Sequence, residues 1–273
     1  MKEKEFNGDA IYTPKGKAAE YARWACNFHV GCPVGCLYCY NKNGRFKKVL
    51  GSNEVKLKKC FRNESHAIEV FEMELRNNLQ ELQKYGLFLS FTTDPMLEIC
   101  LSITWAAIRI CFNNQVPVII LTKCTDWMRY FKYETYSKFL EKKNKIAFGF
   151  TLTGHDELEP NASTNAERIN AMRKLHEAGF KTWASIEPVI DFESSYKMIY
   201  ETKLFCDHYK IGLESGKKYE KDKLIRFVEN ILILNQFAEI LIYFKDSLLN
   251  AANIDRAELP KLCVDRDYNI FYS

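Results

Sequence analysis

The sequence predicts an α/β fold in which strand–helix units repeat along one parallel sheet, and three observations lead there. Apolar runs alternate with longer amphipathic stretches over most of the chain. The 273 residues, 47% of them hydrophobic, suffice to bury a large core. No Gly/Ser linker or low-complexity segment divides them. A single domain over residues 1–273 is therefore expected, with an N-terminal extension of about residues 1–20 and a C-terminal one of about 236–273.

The elements follow in order. Ala22–Phe28 reads as a first strand, and the amphipathic stretch near His66–Lys84 as the helix after it. The apolar run Leu87–Thr92 and the helical stretch Ile103–Asn113 make a second unit. Val116–Thr122, rich in β-branched residues, precedes a helix over Trp127–Lys142. Ile146–Leu152 with Asn165–Ala178, Lys181–Ile186 with Glu193–Lys203, and His208–Leu213 with Lys221–Leu234 complete six units, and Ile240–Phe244 offers a seventh strand. Trp24, Trp105, Trp127 and Trp183 fill the core in this reading, in a chain that is 14% aromatic.

Three cysteines within Cys32-Pro-Val-Gly-Cys36-Leu-Tyr-Cys39 carry the chemistry. The sequence shows no secretory leader and no apolar stretch long enough to span a bilayer, so a reducing cytoplasm is expected for the ten cysteines, and no membrane partner. Structural zinc commonly uses paired C-x-x-C half-sites; no second pair exists here, although Cys26 and His29 stand upstream as candidates to complete a zinc site. A [4Fe–4S] cluster, by contrast, can be held by three thiolates, leaving one iron free to bind another molecule. Gly31, Pro33 and Gly35 suit a loop wrapped tightly around such a cube. Cys26, Cys60, Cys100, Cys111, Cys206 and Cys263 are scattered and form no second cluster motif.

This run, with Tyr38 before the last cysteine, resembles the motif of the radical S-adenosylmethionine (SAM) superfamily. The resemblance implies a partial (β/α)6 TIM-like barrel, a [4Fe–4S] cluster on Cys32, Cys36 and Cys39, and SAM bound to the open iron. It implies reductive cleavage of SAM to a 5′-deoxyadenosyl radical that abstracts a hydrogen atom, with a flavodoxin or ferredoxin as electron donor. In barrels of this kind the chemistry lies at the C-terminal ends of the strands. Those ends carry Ser90-Phe91-Thr92-Thr93-Asp94-Pro95, Leu121-Thr122-Lys123-Cys124 and Phe150-Thr151-Leu152-Thr153. A hydroxyl and a carboxylate at one strand end could grip the SAM amine, and a lysine at the next its carboxylate or ribose.

The order of these segments is similar to that in the spore photoproduct lyases, from about Gly31 to Glu187: Cys-x-x-x-Cys-x-Tyr-Cys-Tyr, Thr-x-Asp, Thr-Lys, then Phe150-Thr151. Glu159-Pro160-Asn161-Ala162-Ser163, Glu167-Arg168-Ile169 and Leu175-His176-Glu177-Ala178-Gly179 continue the series. The resemblance carries the SAM contacts to Thr93, Lys123 and Thr151, with Asp94 beside them, and matches Tyr38 and Tyr40 to two tyrosines associated with hydrogen return. Those lyases return the hydrogen from a cysteine just before Thr-x-Asp; here that position is Phe91, leaving Cys124 as the candidate thiol.

At the end of the fifth strand, Glu187 and then Asp191 are candidates for the SAM ribose or a polar substrate; for Glu187 a pairing with Lys123 or Arg168 is the structural alternative. Asp207, His208 and Lys210 add polar residues around the sixth strand. Net charge is only +4, yet Lys42, Arg45, Lys47, Lys48, Lys56, Lys58, Lys59 and Arg62 crowd the segment after the cysteine loop against Glu54 alone, a pattern suited to a polyanion. Together these features imply a radical SAM enzyme, a lyase or another radical catalyst, acting on nucleic acid or a nucleotide. An activase of a partner protein is the second reading, although the Gly-Gly-Glu-like strand end usual there is absent. A non-catalytic iron–sulfur or zinc protein is the third.

Overall fold

The structure, a computed structural model, describes residues 4–44, 46–130 and 140–272. Strands β1 (Ile11–Tyr12), β2 (Ala25–Cys26), β5 (Leu87–Leu89), β6 (Val118–Thr122), β7 (Ile146–Thr151), β8 (Lys181–Val189), β9 (His208–Leu213) and β10 (Leu241–Phe244) form one sheet in that order. Every pairing from β2 to β10 is parallel, and β1 joins antiparallel at the β2 edge. The sheet curls into a partial TIM-like barrel, the fold class the sequence predicts. Strands β3 (His29–Val30) and β4 (Lys56–Leu57) pair outside it.

Two short helices, α1 (Tyr40–Asn43) and α2 (Lys47–Leu50), follow the cysteine loop; α3 (Glu64–Asn77) and α4 (Leu79–Tyr85) then lead into β5. The later crossovers use α5 (Leu101–Asn113), α6 (Asn165–Glu177), α7 (Phe192–Thr202) and α8 (Lys221–Ala238), and α9 (Asp246–Ala252) follows β10. Of the expected Trp127–Lys142 helix, the first residues lie in a 3-10 turn, Asp126–Tyr130, and residues 131–139 lie outside the described residues, as does Arg45 of the basic segment.

Local chemistry fixes the helix starts. Thr164 and Glu167 close a reciprocal capping box at α6, Asp191 caps α7 by accepting the Ser194 N–H at 2.8 Å, and Asn63 caps α3. The expected helix His66–Lys84 breaks at Asn78, whose side-chain amide donates to the Glu74 carbonyl. The sequence reading contains no counterpart of β1. Its anchor is the buried Glu74, whose carboxylate accepts the backbone N–H groups of Asp9, Ala10 and Ile11. The strand expected over Leu87–Thr92 stops at Leu89 because the following groups bond elsewhere: Phe91 N–H to Asn27 Oδ1, Thr92 Oγ1 to the His29 carbonyl and Thr93 Oγ1 to that of Gly31.

Alternation along the strands separates two apolar layers. Leu87, Leu89, Val118, Ile120, Ile146, Phe148, Phe150, Ala184 and Ile186 belong to the large core shared with the helices. Ala25, Phe88, Ala147 and Trp183 form a second cluster with Tyr21, Phe91, Ile119 and Leu121, inside the bore. A Cβ at Gly149 would lie 2.1 Å from the Trp183 ring, so glycine at that point of β7 is what admits the indole. Both faces of β7 and β9 are buried throughout, as expected for parallel strands sandwiched between layers. At the N-terminus, β1 edges the sheet, and Gly16–Glu20 runs as a 3-10 turn to Tyr21, next to β9 and β10. No helix among the described residues is long and apolar enough to cross a membrane.

Candidate functional site

The cysteine loop lies at the C-terminal mouth of the barrel, between the end of β5 and the loop after β7. Leu37 N–H donates to the Leu158 carbonyl at 3.0 Å, Asn161 N–H to that of Val34 at 3.1 Å, and the Asn161 amide to that of Pro33 at 2.9 Å. Cys32 N–H donates to the Ser52 carbonyl at 2.9 Å. Gly31, at φ +82°, accepts the Thr93 hydroxyl at its carbonyl, and a Cβ there would meet the Glu54 carbonyl at 2.1 Å. Thr93, expected to contact a cofactor, thus holds the loop.

Cys36 packs with Val34 and Cys124, and Cys32, Cys39, Tyr38, Leu97 and Ala162 surround them. All ten cysteines are free thiols. Burial pushes the Cys32 thiol up to about 11, with Asp94 adding to the effect. Burial also raises Cys36, against the opposing pull of the Lys123 ammonium. For Lys123, burial alone would lower the pKa, but Cys36 and Glu159 outweigh it and the ammonium is held above its ordinary range. Its Nζ lies 3.3 Å from Thr151 Oγ1 and 5.7 Å from the centre of the Tyr38 ring.

Asp94 joins two strand ends. Its Oδ1 accepts the Thr122 hydroxyl at 2.7 Å and Met96 N–H at 3.0 Å, and its Oδ2 accepts Lys123 N–H at 2.7 Å. This carboxylate fixes the backbone from which Lys123 and Cys124 project. Burial raises the Cys124 thiol, and Asp94 adds to that. The Tyr38 hydroxyl donates to Glu159, whose other oxygen receives the fully buried Arg168; the Arg168 guanidinium also donates to the Thr151 carbonyl at 2.6 Å. A buried chain thus ties the cysteine loop to the end of β7.

Tyr40 turns its hydroxyl to the Phe91 carbonyl, which also accepts the Asn41 amide. Glu187 is placed on the other side of the mouth. Neither Lys123 nor Arg168 is its partner; Lys245 is, at 2.9 Å, and the Tyr21 hydroxyl donates to it while lying 2.6 Å from Ser185 Oγ. A Cβ at Gly212 would lie 2.7 Å from both Glu187 Cδ and Lys245 Cδ, so this glycine makes room for the pair. Lys245 also approaches Glu20 at 3.5 Å, and the Lys210 ammonium donates to the carbonyls of Glu20 and Tyr21. Asp191 spends its carboxylate on the α7 cap and on His155. Asp207 receives Thr182 N–H at the opposite ends of the strands, where His208 begins β9.

The structure therefore gathers Cys32, Cys36, Cys39, Cys124, Tyr38, Thr93, Asp94, Lys123 and Thr151 at one side of the mouth and Glu187 at the other. Sequence reasoning assigned no site role to Glu159 and Arg168, or to Glu20, Tyr21 and Lys245. Arg168 did leave a signal: it occupies the apolar stripe of α6 with Ala171, Met172 and Leu175. Two surface hollows, one lined by His176, Lys203 and Asp207 and one by Arg256, Lys261 and Asp267, lie away from the cysteine loop.

Buried thiols become ligands only when a cationic centre replaces their protons. A single zinc holds four ligands at roughly 2.0–2.3 Å; among the described residues no group of three His, Cys, Asp or Glu closes around one ion. Cys26 belongs to the outer core, near Cys111, Lys58 and Glu74. The three loop thiols, on tight glycine turns and in one apolar cluster with Cys124, are the donor set that a sulfur-ligated centre larger than one ion would use.

No protein-family model matches the chain. An uncharacterised protein of Methanocaldococcus jannaschii is 23% identical over 259 residues, which cover 89% of this chain and 91% of that protein. Among solved structures, Streptococcus suis SuiB bound to S-adenosylmethionine superposes with a TM-score of 0.58 at 14% identity, over 83% of this chain and 51% of SuiB. A spore photoproduct lyase variant with S-adenosylmethionine and dinucleoside spore photoproduct bound gives 0.56 at 16% identity, over 82% of this chain and 63% of the lyase. The chain thus spans about half to two thirds of the solved chains it matches. Both are radical SAM enzymes, and the chain shares their fold.

Proposed function

We propose that this protein is a radical SAM enzyme in which Cys32, Cys36 and Cys39 hold a [4Fe–4S] cluster and the substrate is a nucleic acid or nucleotide. One observation carries the reading: three free thiols stand on one glycine-turned loop at the mouth of a partial barrel, in the same apolar cluster, with the buried Lys123 ammonium acting on Cys36. Held by Cys32, Cys36 and Cys39, the cluster with SAM would supply reductive cleavage to a radical able to take a hydrogen atom from the substrate.

The chain's own residues orient and shield. Lys123, charged and buried beside Thr151, is the counter-charge for the SAM carboxylate, and Asp94 sets its position through the backbone N–H. The Tyr38 ring, fixed by Glu159, walls this side of the site. Tyr40, which follows Cys39 and holds the Phe91 carbonyl through its hydroxyl, ties the cluster loop to the end of β5. Glu187, held by Lys245 and Tyr21, offers an acceptor for ribose or substrate hydroxyls. Cys124 takes the part of the hydrogen-returning thiol in this reading, since the side chain at Phe91 carries none. The lyase bound to a dinucleoside photoproduct supports the substrate class. Free thiols throughout suit a reducing cytoplasm.

The test is anaerobic. The protein is reconstituted with iron and sulfide and reduced with dithionite, and 5′-deoxyadenosine is followed after addition of SAM, with and without dinucleoside spore photoproduct or damaged oligonucleotides. Formation that disappears in Cys36→Ala and rises with one of these substrates is expected. Zinc retention without cluster assembly overturns the reading.

A further inference from the structure

The loop between β7 and α6 has neighbours on two sides. On one side it holds the cysteine loop: the Leu158 carbonyl accepts Leu37 N–H, Asn161 bonds to the carbonyls of Val34 and Pro33, and Glu159 receives the Tyr38 hydroxyl. On the other side it meets the connection from β8 into α7. A Cβ at Gly154 would lie 2.9 Å from Ser194 Cβ, so the loop approaches the first turn of α7 as closely as a glycine allows. The next residue, His155, joins the two by its side chain.

Both ring nitrogens of His155 face a carboxylate. Nε2 lies 2.5 Å from Asp191 Oδ2, at the start of α7, and Nδ1 lies 2.7 Å from Glu157 Oε1, in its own loop. A neutral imidazole carries one N–H, so it donates to one of these oxygens and turns a lone pair toward the other; the imidazolium donates to both. The arrangement is therefore that of the charged ring. Burial alone would lower the His155 pKa, but the bonds to Asp191 and Glu157 outweigh it and hold it above its ordinary 6.5. The other charges around the contact are Asp156, which accepts from Asn165 and lies 3.7 Å from Arg168, Glu193 in the first turn of α7, and Lys217, whose ammonium donates to the Ile190 carbonyl beside Asp191 at 2.7 Å. Asp191 is itself fixed, since its other oxygen accepts the Ser194 N–H.

We infer that His155 is a positioning residue for the site: as an imidazolium bridging Asp191 and Glu157 it latches the β7–α6 loop, and with it the cysteine loop, to the start of α7. Loss of the proton leaves one N–H for two carboxylates and takes the charge out of the bond that crosses between the elements, which weakens it. Because the folded pKa is raised, the latch is at full strength below about 6.5, the unfolded value, and fades as pH rises through the folded one. What the latch serves rests on the radical SAM reading; the latch itself does not.

The experiment is amide hydrogen exchange read by mass spectrometry on the reconstituted holoenzyme across a pH series, with rates corrected for the intrinsic effect of pH. Peptides covering residues 152–164 and 31–40 report the two loops, and a peptide covering β9 reports the fold. The variants are His155→Gln and Glu157→Gln, the second at an exposed side chain. In the wild type, protection of both loops should fall through a midpoint above 6.5 while β9 stays protected. His155→Gln should show the low, high-pH level of loop protection at every pH. Glu157→Gln should move the midpoint to lower pH, because a neutral amide removes one of the two charges that favour the imidazolium. With dithionite as reductant, 5′-deoxyadenosine formation by His155→Gln should lie below that of the wild type under pH 6.5 and match it well above the midpoint. Loop protection in the wild type that ignores pH, a midpoint at or below 6.5, or a fall that persists in His155→Gln overturns the proposal, as does an unmoved midpoint in Glu157→Gln. Failure of the wild type to cleave SAM strikes the radical SAM reading instead, and exchange, which needs no turnover, still judges the latch.

Discussion

Lys245, at the end of β10, reaches across the bore to Glu187, at the end of β8, and its ammonium lies 2.9 Å from the carboxylate. The ring beside them is Tyr21, whose centre the same ammonium approaches to 4.6 Å and whose hydroxyl donates to Glu187. Tyr21 comes from the connection between β1 and β2, at the far edge of the sheet. The pair therefore fastens the side of the partial barrel that hydrogen bonding between strands leaves open.

Lys245→Ala removes a nearly buried cation and strands Glu187 beside an apolar wall. A loss of about 3 kcal/mol in unfolding free energy is expected, since breaking one partner of a buried pair costs about 3–5 kcal/mol. Combining Lys245→Met with Glu187→Gln should recover most of it, because neither new side chain carries a charge. Urea denaturation of the three proteins checks this. A loss in the double variant as large as that of Lys245→Ala would mean that packing, not the uncompensated carboxylate, sets the cost.

Gly149→Ala tests the bore in a different way. The new Cβ would fall 2.1 Å from the Trp183 ring, whose Nε1 donates to the Ile120 carbonyl at 3.1 Å and resists displacement. Overpacking of this kind costs roughly 1–3 kcal/mol, and the upper end is expected at this distance. Trp183→Phe should be destabilising alone but partly restorative with Gly149→Ala, read from the thermal midpoints of the single and double variants.

Much of this was legible in the sequence. The strand Ile146–Thr151 announced itself as an apolar run and His208–Leu213 as a shorter apolar stretch around His208 and Lys210, and the cysteine spacing located the loop that the fold carries to the barrel mouth. What escaped was decided by groups distant along the chain. Nothing local to Ile11–Tyr12 says that it is a strand, because its register depends on the Glu74 carboxylate 63 residues away. The roles of Thr93 and Asp94 were read from position as cofactor contacts. Their hydroxyl and carboxylate also bond to Gly31, Met96, Thr122 and Lys123, which sequence order alone cannot bring together. Glu187 was offered Lys123 or Arg168 as partners; strand order gave it Lys245, two strands over.

Lys210 gives the fold a pH signature. Burial first, and then the neighbouring Lys245 ammonium, lower its pKa from 10.5 to about 7. Between those two values the unfolded chain binds the proton and the folded one does not, so stability rises with pH across that window. The slope contributed by this one group is at most about 1.4 kcal/mol per pH unit. Buried cysteines and tyrosines with raised pKa act in the opposite sense above pH 9, so pH 7 to 8.5 is the clean interval. Lys210→Met should flatten the rise in unfolding free energy over that interval; an unchanged slope would assign it to another group.

Cys124 and Cys36 pack in one apolar cluster, yet they should answer differently to the same substitution. Cys36 belongs to the glycine-turned loop, and Cys36→Ala leaves only two loop thiols, Cys32 and Cys39. Cys124 is fixed by β6: its N–H donates to Thr122 Oγ1 at 2.9 Å, and its carbonyl accepts the Trp127 indole N–H at 2.8 Å. Anaerobic reconstitution followed by iron and sulfide analysis should find wild-type content in Cys124→Ala and little or none in Cys36→Ala. Turnover should separate them again: Cys124→Ala keeps SAM cleavage but, as the hydrogen-returning thiol, slows product formation, while Cys36→Ala abolishes both. If Cys124→Ala instead loses iron to the same extent as Cys36→Ala, then Cys124 is a fourth ligand, no iron remains open for SAM, and the cluster serves structure or electron transfer.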